Sequence, residues 1–251
     1  MNKVREALLN KKPTIGSWIQ TGSPVSAEIL ARAGYDWIAI DCEHSSIGIE
    51  AFAAAARGIY GRGPATLVRV RENDTLAIRQ FLDMGAEGVI VPLVNSAEDA
   101  RRAVAAAKYP PEGVRGFGYC RANNWGVDFA DYVKQANEDI CVVAMIESKQ
   151  AVEHIDEILE VEGIDGIFIG PYDMSGSYGC VGKTDAPVIV EACKRVLEAC
   201  KRHGKAAGQH IVFPTKENVS RALEEGYTFL ALGTDIVFLA GAAQDALNLA
   251  K

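Results

Sequence analysis

The sequence predicts an α/β fold in which eight parallel strands, each followed by a helix, close into a single (β/α)8 barrel. Short runs rich in β-branched residues alternate with amphipathic helical stretches along the whole chain. Near-continuous apolar strands separated by crossover helices are typical of a parallel sheet that is buried on both faces. The length of 251 residues matches one such barrel, and no break in composition marks a linker, so we expect one domain over residues 1–251.

Eight apolar runs are the predicted strands, and the stretches between and after them show helical spacing of apolar positions. The strands are Thr14–Ile19, Asp36–Asp41, Ala65–Val70, Gly88–Leu93, Ile140–Ile146, Asp165–Ile169, Lys205–His210 and Thr228–Leu232. The helices are Ser26–Ala33, Ile49–Tyr60, Asp74–Met84, Ala97–Lys108, Lys149–Leu159, Pro187–His203, Thr215–Glu225 and Asp235–Leu249. A glycine at 34, 85, 204 and 226 follows a helical stretch, where a residue with positive φ commonly ends the helix.

A doubly wound open sheet is the competing fold for this alternation of strands and helices. That fold binds phosphate groups at a glycine-rich turn after its first strand. The segment after Ile19 is Gln20-Thr21-Gly22-Ser23-Pro24, which lacks those glycines. The barrel is therefore the preferred prediction.

Composition and charge exclude several classes of protein. The 26 Lys and Arg against 33 Asp and Glu give a net charge of −7, which argues against general affinity for nucleic acid or anionic membranes. No apolar run approaches the length of a membrane span, and the N-terminal segment is too polar for a signal peptide. The 6 cysteines show no paired spacing, which suits a reducing compartment, so we expect a cytoplasmic protein.

Polar residues follow several of the predicted strands at the end where a parallel barrel places its active site. Strand two leads into the segment Asp41–His44, strand three ends near Arg69, strand five leads into Glu147, and strand six leads into the segment Gly170–Asp173. Any one of these could simply solvate a strand end. Together they offer a base, a cation and two carboxylates.

Glu147 and Asp173 are candidate metal ligands. They follow consecutive strands, which are neighbours in a barrel, so both carboxylates could face one point. Hard oxygen ligands with room for water suit Mg²⁺ or Mn²⁺, and a chelating 2-oxo acid could complete the coordination. The alternative is that one of the two carboxylates only caps the following helix.

His44 and Arg69 are candidate catalytic residues. His44 could serve as a general base, because imidazole titrates near neutrality, although a structural hydrogen bond would also explain it. Arg69 could stabilise an enolate oxygen if it points into the barrel mouth. Of the other histidines, only His210 follows a strand and could face the same end.

Two other motifs point to different chemistry but fit poorly. Gly-Lys-Thr at 182–184 lacks the leading glycine that a phosphate-binding loop requires, because residue 177 is serine. The stretch 175–179 is better interpreted as a flexible loop over a site. A Schiff-base lysine would also support carbon–carbon chemistry, and Lys149 is the nearest candidate.

The assembled motifs resemble those of the HpcH/HpaI family of class II, metal-dependent pyruvate aldolases. The resemblance extends from about Gly16 to Ala240 and so covers nearly the whole chain. In order, the matching motifs are Asp36-Trp37, Asp41-x-Glu43-His44, Val68-Arg69-Val70, Asn73-Asp74, Leu82-Asp83-x-Gly85-Ala86, Val91-Pro92, Tyr109-Pro110-Pro111-x-Gly113-x-Arg115-Gly116, Ile146-Glu147, Gly163-x-Asp165-Gly166-x-Phe168-Ile169-Gly170-Pro171-x-Asp173 and Leu232-Gly233-x-Asp235.

This resemblance implies a TIM barrel, a metal held by Glu147 and Asp173, and a hexamer in which the last helix is exchanged between subunits. It further implies that His44 acts as the base through a metal-bound water and that Asp83 orients His44.

The resemblance also implies a pyruvate site. Arg69 would hold the keto or enolate oxygen. The segment Gly170, Pro171, Tyr172 and Asp173 would bind the pyruvyl carboxylate through the amides around Tyr172 and Asp173. The chain departs from the family at Met145, where glutamine is common, and at Tyr172, where a small residue is common.

The sequence therefore predicts reversible retro-aldol cleavage of a 4-hydroxy-2-oxo acid to pyruvate and an aldehyde. The alternatives are another pyruvate-enolate reaction, such as oxaloacetate decarboxylation, and a catalytically silent protein that binds metal or oxo acid and has no need of His44. The expected partners are small molecules and further copies of the chain. The loops Arg115–Gly126 and Ser175–Lys183 would contact the aldehyde, with Arg121, Asn123 and Asn124 as candidates.

Overall fold

Eight parallel strands pair in chain order, and the first strand pairs with the last, which closes the sheet into a barrel. The computed structural model describes residues 2–250. The predicted (β/α)8 barrel is confirmed, and the strand ends differ from the prediction by at most a residue or two. The strands are β1 (Thr14–Ile19), β2 (Trp37–Asp41), β3 (Ala65–Arg69), β4 (Gly88–Val91), β5 (Cys141–Ile146), β6 (Gly166–Ile169), β7 (Ala206–Ile211) and β8 (Phe229–Thr234).

Alternate residues of each strand point into the barrel and fill it with large side chains. Trp37 stacks on Phe229 with ring centroids 4.3 Å apart, and Phe168 meets Phe229 edge to face. Gly16 makes room for this cluster, because a side chain there would overlap the Trp37 ring. The barrel is therefore a packed core, and only its ends are open to chemistry.

Helices surround the barrel, and more are present than the sequence pattern predicts. The predicted helix Lys149–Leu159 is divided in two at His154, and the elements Lys3–Leu9, Arg121–Gly126, Phe129–Asp139 and Pro171–Ser177 were not predicted. None of the helices in residues 2–250 is long and apolar enough to cross a membrane. They are α1 (Lys3–Leu9), α2 (Pro24–Arg32), α3 (Ile49–Ile59), α4 (Thr75–Asp83), α5 (Ala97–Ala107), α6 (Phe129–Asp139), α7 (Lys149–Glu153), α8 (Ile155–Leu159), α9 (Pro171–Ser177), α10 (Pro187–His203), α11 (Lys216–Glu225) and α12 (Asp235–Asn248), with a 3-10 helix at Arg121–Gly126.

The N-terminal end of the barrel is closed by α1. Val4 and Leu8 of this helix are buried in the same cluster as the inward-facing strand residues. Arg5 donates to the buried Asp165 carboxylate at 3.0 Å, beside the start of β6. This end of the molecule is therefore plugged, while the opposite end, where the strands finish, remains open.

The C-terminal helix α12 makes few contacts with its own barrel. Of its 14 residues only Asp235 is buried, while Ile236, Leu239 and Leu247 are exposed. A helix that covered its own strand eight would bury such residues. The apolar surface of α12 is thus left uncovered within one chain.

Candidate active site at the carboxyl ends of the strands

Inward-facing positions at the carboxyl ends of five strands carry polar side chains. The inward alternation that includes Trp18, Trp37, Leu67, Val143 and Ala206 continues to Gln20, Asp41, Arg69, Glu147 and His210, respectively. Asp41 and Arg69 are direct partners in the β2–β3 register. The strand pattern alone therefore delivers these side chains to the open mouth of the barrel.

Arg69 is fixed in the mouth by partners on three sides. Its Nε donates to Asp41 Oδ1 at 2.9 Å and its Nη2 donates to Asp41 Oδ2 at 2.6 Å, which is a bidentate ion pair. Its guanidinium lies over the Trp18 ring, 4.9 Å from the centroid, and 3.4 Å from Glu43 Oε2. The predicted cation at the barrel mouth is thus present and rigidly oriented.

Asp41 organises this mouth, and sequence reasoning assigned it no role. It is fully buried, and its oxygens also accept hydrogen bonds from Gln20 Nε2 at 2.9 Å and from the backbone N–H groups of Glu43 and His44. Burial alone would raise its pKa, but these hydrogen bonds and the Arg69 charge outweigh burial, and the pKa lies below its usual range. The signal in the sequence was an acidic residue at an inward position closing an apolar strand.

Three carboxylates face one another beside Arg69. The pKa of Glu147 is raised by burial, and the charges of Glu43 and Asp173 raise it further. The pKa of Glu43 is likewise raised by burial, with Asp41 and Asp173 adding to the effect while Arg69 opposes it. The charge of Asp173 acts on both Glu43 and Glu147, so the three carboxylates lie in one region of the mouth.

The carboxylate of Glu147 is aimed by the loop after β4. Leu93 adopts a left-handed backbone with φ of 54°, and its N–H donates to Glu147 Oε1 at 2.6 Å. Such a conformation costs a residue with a side chain about 1–2 kcal/mol. The other oxygen, Oε2, has no hydrogen bond among the described residues and is available to a ligand.

A divalent cation fits this group of oxygens. Glu43 Oε2 is buried and accepts no hydrogen bond, and Glu147 has one oxygen unused. A cation would relieve the repulsion that raises the pKa of both groups. Within residues 2–250, no group of three or more His, Cys, Asp or Glu side chains is arranged to hold a metal ion, so water or substrate oxygens would have to supply most of the coordination.

The segment after β6 lies directly against Glu147. Gly170 continues β6 beside Glu147. A Cβ atom at this glycine would lie 2.9 Å from Glu147 Cβ and 3.1 Å from Glu147 Oε2, so a larger residue would displace the carboxylate. Pro171 then begins α9, and the N–H groups of Tyr172 and Asp173 in its first turn have no acceptor among the described residues. The Tyr172 side chain is 64% exposed and points away from the barrel core.

The stretch 175–179 does not form the predicted flexible loop. Most of it belongs to α9, where Ser175 Oγ accepts from the Gly182 N–H and Ser177 Oγ accepts from the Lys149 N–H. These hydrogen bonds explain the order of a serine- and glycine-rich segment.

His44 lies at the rim of the mouth. Its side chain is 59% exposed, and its Nε2 is 3.5 Å from Glu43 Oε2, the same oxygen that approaches Arg69. No hydrogen bond to another side chain holds the ring in residues 2–250. His44 is therefore close to the carboxylate group and free to reorient.

Asp83 is not brought to His44 within one chain, so the predicted pairing is not made inside a single subunit. Asp83 is the last residue of α4, and its carboxylate accepts from Arg115 Nη2 at 2.8 Å. Because α4 returns the chain to the start of β4, Asp83 lies at the opposite end of the barrel from His44.

The predicted aldehyde contacts also lie at this opposite end. Arg121 donates to the backbone oxygen of Met84, just before β4, and its guanidinium lies 5.2 Å from the centroid of the Tyr60 ring. Asn123 is buried and caps its own 3-10 helix, which Asn124 continues. In a single subunit none of the three residues lines the mouth, which contradicts the prediction.

Lys149 does not enter the mouth. It begins α7 with an exposed side chain that approaches Glu153 Oε1, one turn further along the same helix. The geometry therefore does not support the Schiff-base alternative, since a lysine of that kind is usually desolvated.

A closed (β/α)8 barrel with an anchored arginine and several carboxylates at the carboxyl ends of its strands has the arrangement of a (β/α)8-barrel enzyme. Residues 14–242 match the family model described as HpcH/HpaI aldolase/citrate lyase. The chain belongs to this family, as its motifs indicated.

Relatives of known name and structure agree with this assignment. The chain is 38% identical to a 5-keto-4-deoxy-D-glucarate aldolase of Escherichia coli over 97% of this chain and 94% of that protein. An HpcH/HpaI aldolase/citrate lyase family protein from Burkholderia cenocepacia superimposes with a TM-score of 0.95 at 31% identity, covering 100% of this chain and 99% of that one. The citrate synthase SbnG superimposes with a TM-score of 0.88 at 29% identity, over 100% and 98% of the two chains. The protein is a carbon–carbon lyase of the aldolase type.

Proposed function

We propose that the protein is a divalent-metal-dependent class II aldolase that reversibly cleaves a 4-hydroxy-2-oxo acid to pyruvate and an aldehyde. The observation that carries this proposal is the clamped Arg69 guanidinium beside the carboxylates of Glu43, Glu147 and Asp173. The enolate of pyruvate carries negative charge on its oxygen. A fixed guanidinium next to carboxylates that can bind a metal ion would stabilise that charge.

Glu147 and Asp173 would hold Mg²⁺ or Mn²⁺, the cations that hard carboxylate oxygens favour. When bound, the ion would supply positive charge that stabilises the developing enolate oxygen. Glu43 would remain a neighbouring negative charge, because its Oε2 also approaches both Arg69 and His44.

The chain's own groups would position pyruvate at this point. The free N–H groups of Tyr172 and Asp173, in the segment that starts with Gly170 and Pro171, would bind the pyruvyl carboxylate. Arg69 would bind the keto oxygen through Nη1, which has no hydrogen-bond partner among the described residues. These backbone hydrogen bonds to the carboxylate would not depend on the size of the Tyr172 side chain.

His44 would accept the proton of the C4 hydroxyl during cleavage and return it during addition. Its proposed orienting partner, Asp83, lies at the far end of the same barrel. The pairing therefore requires Asp83 of another subunit, which ties this catalytic role to the assembly.

The substrate class follows from the enolate chemistry and from the relatives. The aldolases at 38% identity are named for 5-keto-4-deoxy-D-glucarate, a deoxygenated sugar acid that carries two hydroxyl groups. We therefore favour a polyhydroxylated oxo acid as the physiological substrate and a short hydroxyaldehyde as the product besides pyruvate.

Exchange of the pyruvate methyl protons in D₂O tests this function directly. The expected result is exchange that depends on added Mg²⁺ or Mn²⁺, is lost with EDTA, and persists in Lys149→Met. Full activity after EDTA treatment, together with a pyruvate adduct at Lys149 trapped by borohydride, would overturn the metal mechanism. Absence of any exchange would favour a silent binding protein.

Oxaloacetate decarboxylation is the second candidate. It passes through the same enolate but needs no base to begin, and within one chain Arg69 is anchored while His44 is not. Decarboxylation without any cleavage or addition across a panel of aldehydes would make this the principal reaction.

A further inference from the structure

His210 is a polar residue at the barrel mouth to which the proposed mechanism gives no role. It occupies an inward-facing position of β7, opposite Ala231 in the register with β8. On its other side, Gln209 pairs with Ile169, so His210 continues alongside Gly170, the residue against which Glu147 lies. The half-buried imidazole therefore borders the segment proposed to bind pyruvate.

The tautomer of His210 is fixed by its one hydrogen bond. Its Nε2 is 3.0 Å from the backbone oxygen of Gly233, and a carbonyl can only accept, so Nε2 carries the proton. Burial, with a smaller contribution from the nearby Arg69, lowers the pKa of His210 to about 4, against the opposing effects of the Gly233 hydrogen bond and Asp41. The ring is neutral, and Nδ1 is a hydrogen-bond acceptor without a partner among the described residues.

Within residues 2–250, no hydrogen-bond donor reaches His210 Nδ1. The Trp18 ring lies 5.9 Å from the His210 ring, and the Arg69 guanidinium lies over the same Trp18 ring at 4.9 Å. Arg69 donates its hydrogen bonds, from Nε and Nη2, to Asp41. A ligand that displaces water from the mouth can therefore supply the donor.

The chemistry of the substrate determines which part could supply that donor. Pyruvate and its enolate present a carboxylate and a keto or enolate oxygen, all of which are acceptors when ionised. Hydroxyl groups are present only on the aldehyde-derived half. The neutral acceptor His210 Nδ1 can therefore form a hydrogen bond with the aldehyde-derived half of the substrate, but not with ionised pyruvate.

We propose that His210 is a specificity-determining residue whose Nδ1 accepts a hydrogen bond from a hydroxyl of the aldehyde-derived half of the substrate. The hydroxyl is one that the aldehyde already carries, not the one made at C4, because so weak a base would orient a hydroxyl without removing its proton. This inference rests on the proposed aldolase function. It makes the enzyme prefer hydroxyaldehydes to their deoxy counterparts.

Competing aldehydes measure this preference. The ratio of kcat/KM for glycolaldehyde to that for acetaldehyde, with pyruvate as co-substrate, is compared in the wild type, His210→Leu and His210→Asn. Loss of one neutral hydrogen bond is expected to lower the ratio by about 3–10-fold in the leucine variant. Asparagine places an oxygen near the position of Nδ1 and should restore part of the ratio.

Two controls separate this inference from the function on which it rests. Methyl-proton exchange of pyruvate should be unchanged in His210→Leu, since no donor of pyruvate is involved. Gln209→Leu, which alters the neighbouring residue on the outer face of β7, should change neither quantity. An unchanged aldehyde ratio in a leucine variant that still exchanges pyruvate protons would overturn the inference alone.

Other outcomes are equally decisive. Equal loss of exchange and of addition in both His210 variants, with circular dichroism unaltered, would overturn the inference by placing His210 in enolate formation. A wild-type protein that neither exchanges pyruvate protons nor adds any aldehyde would overturn the aldolase function, and the inference with it.

Discussion

The Arg69 guanidinium is held in one orientation before negative charge develops on the substrate. Asp41 occupies the Nε and Nη2 edge of the guanidinium, and Trp18 covers one face, while Nη1 remains without a hydrogen bond in the described chain. The pKa of Arg69 is raised, because Asp41 and Glu43 outweigh the effect of burial. The cation is thus permanent and needs no reorientation when an oxyanion forms.

Arg69 and His44 should be separable by reaction type. Arg69→Ala is expected to lower pyruvate exchange, oxaloacetate decarboxylation and aldol cleavage alike, by ~10²–10³. His44→Ala is expected to lower aldol cleavage by roughly 10²–10⁴ but to spare more of the decarboxylation, which needs no base to begin. Rates of the three reactions in both variants measure this. Equal loss of decarboxylation in the two would make His44 a binding or structural residue.

The carboxylates should control the metal requirement. Glu147→Gln or Asp173→Asn is expected to raise the Mn²⁺ concentration for half-maximal activity at least ~10–100-fold, the usual effect of losing even an indirect contact to a metal. Titration of activity with Mn²⁺ measures the shift, and Asp156→Asn, an exposed carboxylate paired with Arg202 on the outer surface, is the matched control. Unchanged metal activation in both site variants would remove these residues from the ligand set.

The sequence predicted those site residues that follow from strand order. Arg69, Glu147 and the residues around Asp173 were found because polar residues at strand ends are easy to see. Asp41 received no role, because only side-chain geometry shows that its two oxygens bind Arg69, Gln20 and two backbone N–H groups. Asp83 was paired with His44 by resemblance, which carries no information on which subunit supplies a residue.

At the scale of elements, the strands were more predictable than the helices. The apolar strands are buried on both faces, and their patterns are unambiguous. The helix at Phe129–Asp139 buries only Ala136, and α1 is short and follows a charged terminus, so neither has a strong apolar period. The division of Lys149–Leu159 at His154 is a local change of direction that periodicity does not detect.

Lys108 joins three elements near the N-terminal end of the barrel. It follows α5, is 1% exposed, and its Nζ donates to the backbone oxygens of Asn137 at 2.5 Å and Ile140 at 2.7 Å. Burial, reinforced by the charge of Arg5, lowers its pKa from 10.5 to about 8. The folded protein therefore releases this proton at a lower pH than the unfolded chain.

This release should make stability depend on pH. Below about pH 8 both states hold the proton, and the cost of burying the ammonium is fully present. Between about 8 and 10.5 only the unfolded state holds it, so the contribution of Lys108 to the free energy of unfolding should rise with pH, by up to about 3 kcal/mol. Urea unfolding of wild type and Lys108→Met at several pH values isolates the effect from other titrating groups.

The exposed Lys194, which approaches Glu198 on α10, provides the control. Lys194→Met should leave the stability difference from wild type constant over the same range. A constant difference for Lys108→Met as well would contradict the shifted pKa of Lys108.

At the scale of the whole molecule, two of the apolar surfaces that the described residues leave uncovered bear on assembly. One is α12, where Leu239 is the most exposed of the large apolar residues at 68%, and the other is the segment around Phe117, Tyr119 and Trp125. Exposed apolar surfaces of this kind are typical of protein–protein contacts. The second surface lies near Asp83, the residue that the proposed mechanism requires from another subunit.

We expect a hexamer with α12 exchanged between subunits, in which each active site takes Asp83 from a neighbour. Light scattering should give about six times the 27.0 kDa of one chain, and a stable monomer would refute this. A mixture of His44→Ala and Asp83→Ala subunits, dissociated and reassembled, should recover activity, because about a quarter of the sites would then combine both intact residues. A mixture of His44→Ala and Glu147→Gln should recover none, since these two residues belong to the same mouth. Equal recovery in both mixtures, or in neither, would contradict a site shared between subunits.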